Sequence, residues 1–260
     1  MDPNRYAVCE LSVVPMRREP SDKSEMVNQV IFGEIMIILD ENEKWYFIEL
    51  MHDKYQGWID KKQISPMNEI LPGKALIVTS PLMAVKNWSQ GFSFLPAGAM
   101  IFLKNATTIT TGLSEFTATE DEIKHATAKA DIALASMMFL DTPYLWGGRT
   151  LMGIDCSGFS QIVFRMSGIS IPRDAYQQAE IGDDIAFVEE ALTGDLAFFE
   201  NAESKIIHVG IILSQKETAI KSIIHASGKV RIDKLDHQGI FNEETKQYSH
   251  KLRFIKRVRV

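Results

Sequence analysis

Cys156 stands in the run Asp155-Cys156-Ser157-Gly158, while His208 opens His208-Val209-Gly210-Ile211-Ile212-Leu213 and His225 lies in Ser222-Ile223-Ile224-His225-Ala226. A thiol becomes a working nucleophile when a base lies within hydrogen-bond reach, and that base works best when a third polar group holds its tautomer. These residue types point to acyl transfer through a thioester. Cys156 would attack a carbonyl, and one imidazole would take its proton and later return it to the leaving amine while the other holds that imidazole's tautomer. The same three side chains could ligate zinc, but no Cys-x-x-Cys or His-x-x-x-His spacing supports that, so neither metal nor cofactor is expected. The other cysteine is Cys9. Two cysteines are too few for a disulfide framework, and the surroundings of Cys156 favour a reactive thiol over a bridge.

The elements that must position these groups are legible as patterns. Phe159, Ile162, Val163 and Met166 fall at i, i+3, i+4 and i+7, which predicts an amphipathic helix beginning near Cys156 and ending before Gly168. At that helix start, unpaired N–H groups and the dipole are expected to lower the thiol pKa and to receive an oxyanion. Gly147, Gly148 and Gly153 read as loop residues that let backbone approach a substrate closely. The two histidine runs predict a hairpin turning around residues 214–219. Symmetric closure about Lys216 and Glu217 sets His208 opposite His225 on one face, unless a bulge or an odd loop count intervenes. His52, His125, His237 and His250 lack a motif and read as surface or packing residues. Asp195, in Gly194-Asp195-Leu196, reads as a structural acid bonding backbone N–H groups at a turn.

Upstream, Thr119-Glu120-Asp121-Glu122 has the form of a capped helix start. Ile123, Ala126, Ala130, Leu134 and Met137/Met138 then recur at helical spacing, which predicts one long helix up to Leu140. Before it, short β-rich runs at 7–14, 30–39, 45–51 and 57–59 predict a small barrel. Runs at 74–79, 92–95, 98–104 and 106–111, punctuated by Pro81, Gly91, Pro96 and Gly112, predict a second. The C-terminal run 251–257 mixes basic residues with Leu252, Phe254 and Ile255 and reads as a closing strand.

Six segments carry a family resemblance: Tyr144-Leu145-Trp146-Gly147-Gly148, Asp155-Cys156-Ser157-Gly158, Pro172-Arg173-Asp174, Gly194-Asp195-Leu196-Ala197-Phe198-Phe199, His208-Val209-Gly210-Ile211-Ile212 and Ile224-His225-Ala226. In order and spacing, over about 120 residues, they resemble the successive motifs of the NlpC/P60 cysteine peptidases. The pattern Val13, Pro15, Arg18, Pro20, Gly33-Glu34, Trp45-Tyr46 and Gly57-Trp58-Ile59 resembles a bacterial SH3-like domain. The fold implied is α+β: a papain-like catalytic domain at 118–260 preceded by two SH3-like β-barrels at 1–67 and 68–117.

The resemblance further implies Cys156 as nucleophile, His208 as base and His225 as its orienting residue. The expected reaction is hydrolysis of the γ-D-glutamyl-diamino acid bond in peptidoglycan-derived stem peptides. By likeness to family members with N-terminal SH3-like barrels, the substrate carries a free N-terminal L-alanine. Tyr55 and Glu25 would then close the pocket and Asp174 would stand near the substrate amine, where a desolvated ammonium needs a negative partner. Tyr144, Asp155 and Ser157 are further candidates for the substrate pocket. Ala175 departs from the serine that some relatives place there, which puts one substrate hydrogen bond in doubt. The alternatives are a cell-wall-binding module, or a thiol acyltransferase on the same fold.

Composition bounds the rest. The 260 residues exceed a usual single domain, and 45% hydrophobic with 24% charged residues is ordinary for a globular chain. A net charge of −6 with no basic stripe argues against nucleic acid as a partner. No apolar run approaches the ~18 residues of a membrane helix, and residues 1–10 lack the features of a secretion signal. A monomer without a membrane partner is expected, cytoplasmic as written, and periplasmic or exported if a leader was removed.

Overall fold

The computed structural model describes residues 6–71, 73–87, 91–214 and 221–258. The chain divides into two compact units, Met1–Lys129 and Ala130–Val260.

The first unit holds two antiparallel sheets. One has seven strands, from Tyr6–Val8 to Ser65–Met67, and encloses Val14, Met16, Val30, Met36, Ile48, Leu50 and Ile59. Alternation sends these residues inward while their neighbours face out, as on Gln56–Asp60, where Gly57 and Ile59 are buried. The second sheet has six strands around Val78, Met83, Val85, Leu95, Ile101, Ile109 and Phe116. Phe32 joins this second core, edge-on to Phe116 with ring centroids 5.1 Å apart. Three strands of this unit went unread in the sequence: Ser65–Met67, Leu82–Asn87, with Met83 and Val85 inward, and the three-residue Glu115–Thr117.

The single long helix expected from 120 to 140 is instead two short ones, Glu120–Ala126 and Ile132–Met137. The first starts as expected, with Thr119 and Glu122 forming a capping box. It stops where the Thr79 hydroxyl takes the carbonyls of Ala126 and Ala128, at 3.0 and 2.7 Å. Asp131 then caps a fresh start by accepting from the Ala133 and Leu134 N–H groups. Ile123 and Ala126 bury against the second sheet of the first unit, so helical periodicity continued across a break that the distant Thr79 and the Asp131 cap created.

In the second unit, the strands run in the order Asp183–Ile185, Gln247–Arg257, Leu196–Glu200, Ile206–Leu213, Lys221–Ser227, Lys229–Leu235 and Gly239–Asn242. The eleven-residue strand Gln247–Arg257 also pairs with Gly239–Asn242, which closes six of them into a barrel. Closure pairs the strand edges that an open sheet would expose. Ala197, Phe199, Ile212, Ile223, Leu235, Ile240 and Ile255 form one core of this unit. The helix Cys156–Met166 packs on the strands Ile206–Leu213 and Lys221–Ser227.

That helix begins and ends where expected, but it is not amphipathic in its setting: every residue is buried. Helix Ile132–Met137 and the short helix Ala175–Gln178 cover what would have been its polar side. Several of its polar groups are bonded within the unit, as where Ser160 donates to the Gln178 side-chain carbonyl at 2.7 Å and Gln161 donates to Ile171 O at 3.3 Å. Among the described residues, no helix is long and apolar enough to cross a membrane.

Candidate active site

Cys156 is the first residue of its helix, and Asp155 caps it, accepting from the Gly158 N–H at 2.6 Å. The other Asp155 oxygen accepts from the Gly147 N–H at 2.8 Å. Arg173 closes the arrangement with two parallel bonds to Asp155, at 3.0 and 2.6 Å, and a third to the Ser157 hydroxyl at 2.9 Å. Asp155 and Ser157 thus direct their side chains at the protein and lock the helix start against the glycine loop. Gly158 is required for that contact, because a Cβ there would come within 2.3 Å of the Gly148 carbonyl oxygen.

The Cys156 sulfur lies against the backbone N–H of Val209 on the neighbouring strand and against that of Ser157. Burial first, and then the Asp155 carboxylate, push the thiol up to about 12, outweighing those N–H groups and Arg173. The expectation of a lowered thiol pKa is therefore corrected: the helix end is present, but the sulfur has lost its water. The rate of Cys156 alkylation by iodoacetamide should still be climbing above about pH 9, past the ordinary thiol value of about 8.5. A plateau reached below neutral pH would contradict this.

Beside Val209 in the chain is His208, so the strand that meets the sulfur also carries this imidazole. The register is Ile211 with Ile224, Ile212 with Ile223 and Leu213 with Ser222. This is two residues away from the symmetric closure expected, and the turn proposed around 214–219 lies almost wholly outside the described residues. A two-residue slip preserves the face of every side chain, whereas a slip of one would have separated the histidines. Continued by one pair, this register sets His225 across from Gly210, where a Cβ would come within 2.9 Å of the His225 Cβ. His208 and His225 then meet diagonally, Nε2 to Nδ1, at 2.8 Å.

Two features of the site were missed in the sequence. Asp233, on the strand Lys229–Leu235, lies 3.1 Å from His225 Nε2 and is gripped by Arg231 at 2.7 and 3.0 Å. Its signal was a carboxylate two residues from Leu235 on the inward face of a strand. His250, read as an ordinary packing residue, stacks on His208 with centroids 4.2 Å apart and planes 22° apart. Phe199 flanks the His208 ring at 5.7 Å. Burial, followed by the charges His225 and His250 would carry, drives His208 well below its usual value, so the ring is neutral and able to accept a proton.

Burial, and then His225, likewise lower His250 to about 4, with Asp233 opposing. The sign for stability follows from linkage: a folded pKa below the unfolded value means the unfolded chain binds more protons as pH falls. Stability from the neutral rings is fully present above about pH 6.5 and is lost as pH drops toward 4. Urea midpoints should fall across that window, and His250→Phe should flatten the fall. An unchanged slope in the variant would contradict it.

Tyr144 is half-buried on a segment whose N–H donates to Gly228 O at 3.0 Å, and with His208, Ser227 and His250 it lines an open pocket of about 210 Å³. Burial, then Cys156 and Asp155, push its phenol up, which keeps it a hydrogen-bond donor. Asp174 opens the short helix Ala175–Gln178 in a capping box with Gln177. Tyr55 and Glu25 belong to the first unit: the Tyr55 hydroxyl donates to Val27 O at 3.4 Å, and Glu25 pairs with Arg18 at 2.8 Å. Asp195 accepts from the Leu192 N–H at 2.7 Å and pairs with Arg257 at 2.8 and 2.7 Å, a structural role. Among the described residues, no group of three or more His, Cys, Asp or Glu side chains is arranged to hold a metal ion.

Residues 141–249 match the NlpC/P60 family, and residues 16–64 match the bacterial dipeptidyl-peptidase SH3 domain. The γ-D-glutamyl-L-lysine dipeptidyl-peptidase of Bacillus subtilis (strain 168) is 32% identical over 202 residues, covering 70% of this chain and 68% of that protein. Dipeptidyl-peptidase 6 of Lysinibacillus sphaericus is 23% identical over 258 residues, covering 85% and 88%. In fold, the chain is similar to the crystal structure of an NlpC/P60 family protein from Bacillus cereus ATCC 10987, with a TM-score of 0.77 at 17% identity over 97% of this chain and 99% of that one.

Proposed function

Since this chain belongs to the NlpC/P60 family of cysteine peptidases, we propose that it hydrolyses the γ-D-glutamyl bond to a diamino acid in peptidoglycan-derived peptides bearing a free N-terminal L-alanine. The observation carrying this reading is the sulfur at a helix start, set against the strand of His208, whose far nitrogen is held 2.8 Å from His225. Support for the bond cleaved comes from the relative's own activity, that of a γ-D-glutamyl-L-lysine dipeptidyl-peptidase.

Both groups are neutral at rest, so deprotonation of Cys156 accompanies its attack. The sulfur bonds to the γ-glutamyl carbonyl carbon as its proton passes to His208. His208 then gives the proton to the departing amine, the C–N bond breaks and a thioester remains. Water, deprotonated by the same imidazole, attacks the thioester and frees both the dipeptide and the thiol. The Ser157 N–H, beside the sulfur at the helix start, is placed to receive the oxyanion. Asp174 pairs with the substrate ammonium.

A peptide panel tests this: L-Ala-γ-D-Glu-L-Lys and its meso-diaminopimelate counterpart, each with a free or acetylated amine. The expected product is the L-Ala-D-Glu dipeptide, with acetylation lowering kcat/KM by roughly tenfold or more, the scale of one lost charge-assisted bond. The same loss is expected from Asp174→Asn, Tyr55→Phe and Glu25→Gln if those residues serve the amine-bearing end. No dipeptide release would sink the bond assignment, and equal rates on free and blocked amines would sink the preference.

A further inference from the structure

The hydrogen bonds around His225 determine more than its position. Asp233 has both oxygens engaged by Arg231, at 2.7 Å to Oδ2 and 3.0 Å to Oδ1, and Oδ2 also meets His225 Nε2 at 3.1 Å. Asp233 is 6% exposed and His225 1% exposed, so water does not compete for these bonds. Burial alone would raise the Asp233 carboxyl, but its bonds to His225 and Arg231, and the Arg231 charge, hold it below the usual carboxylate range.

An ionised carboxylate can only accept, so His225 must carry its proton on Nε2. A neutral imidazole has one N–H, and Nδ1 of His225 is therefore a bare acceptor. That atom faces Nε2 of His208 at 2.8 Å. His208 must in turn carry its own proton on Nε2. Its Nδ1 is then the unprotonated atom, the only one that can take the proton of Cys156.

We propose that Asp233 is a positioning residue that sets both imidazoles as Nε2–H tautomers and thereby makes Nδ1 of His208 the base. The proposal rests on the reading of Cys156 and His208 as nucleophile and base, and it adds a fourth member to their chain. Asp233 does not become protonated during the reaction; it determines the direction of every hydrogen bond up to the thiol.

Asp233→Leu is the sharp test, because it offers His225 no acceptor. Asp233→Asn is the conservative control: its amide oxygen at the Oδ2 position still accepts from Arg231 Nε and from the Nε2–H of His225, and only the bond from Arg231 Nη2 is lost. In Asp233→Leu nothing holds the proton on Nε2, so His225 can present Nδ1–H to His208, whose own proton then lies on Nδ1, where it blocks the thiol. A loss of about tenfold or more in kcat is expected for Asp233→Leu, with KM within about threefold, and Asp233→Asn should recover most of it.

The deciding measurement is the tautomer state itself, read from two-bond ¹⁵N–¹H couplings in the full chain labelled with ¹⁵N-histidine at neutral pH. His208 and His225 should both be Nε2–H in the parent protein and in Asp233→Asn, and a large share of both should be Nδ1–H in Asp233→Leu. Finding His225 as Nδ1–H in the parent, or Asp233→Leu with kcat within about threefold of the parent, would overturn the proposal. The parent spectrum decides even if Asp233→Leu does not fold. It also needs no substrate, so a failure of the peptide panel would sink the bond assignment while leaving the tautomer assignment to be judged by the spectrum.

Discussion

Cys156→Ala is expected to lower kcat on L-Ala-γ-D-Glu-diamino acid peptides by on the order of 10⁴- to 10⁶-fold, while leaving KM and the unfolding midpoint close to those of the parent. The asymmetry follows from what the sulfur does. Its bond to the carbonyl carbon exists only beyond the ground state, so removing it weakens the transition state and leaves the docked peptide alone. The variant deletes a single heavy atom from a buried position whose helix cap, Asp155 to Gly158, is unaltered. His208 and the oxyanion-receiving N–H remain, which is why a small residual rate is expected. A wall-binding role for the chain would instead leave Cys156→Ala indistinguishable from the parent in every assay. Loss of peptide affinity with unchanged kcat would contradict the assignment of Cys156 as nucleophile.

Arg173→Met should produce the largest loss of stability of any substitution around the site, about 3–5 kcal/mol, by leaving the Asp155 carboxylate buried without its cation. Arg173 is 1% exposed and holds both Asp155 oxygens as well as the Ser157 hydroxyl. The cost arises chiefly from the stranded charge and less from the lost bonds. Arg173→Met combined with Asp155→Asn should therefore be more stable than Arg173→Met alone, which a urea titration of the two variants would show. Equal midpoints for the two variants, or a single-variant loss under about 1 kcal/mol, would contradict the account of this pair.

What could be read in the residues depended on whether the signal was local. The start and end of the nucleophile helix were local, set by Asp155 and by Gly168, and both appear in the structure. The pairing of the histidines was legible only in part. Alternation determined the shared face, while the register depended on a turn and on Gly210 making room for His225. The broken helix between 120 and 140 was hidden because periodicity carries no information about Thr79, distant in the chain, taking two of its carbonyls.

Burial was the largest omission. A helix start beside a cysteine suggests an easily formed thiolate, yet burial of the sulfur and the nearby Asp155 charge push the thiol up, outweighing the Val209 and Ser157 N–H groups. Asp233 and His250 carry no motif of their own. Strand pairing brings them to the histidine pair: the strand at 229–235 lies directly beside the His225 strand, and the strand at 247–257 lies beside Leu196–Glu200, which in turn flanks the His208 strand. Position 233 could have been flagged as an acid pointing inward. Nothing in the chain near 250 marks that ring as a neighbour of His208.

The central claim is that Cys156 forms the covalent intermediate, and acid quenching during turnover followed by peptide mass spectrometry tests it most directly. The account predicts a transient L-Ala-γ-D-Glu acyl group on the proteolytic fragment containing Cys156, absent from His208→Ala and Cys156→Ala. Dipeptide release at the full rate with no acyl group on that fragment, or with the group on another side chain, would contradict it.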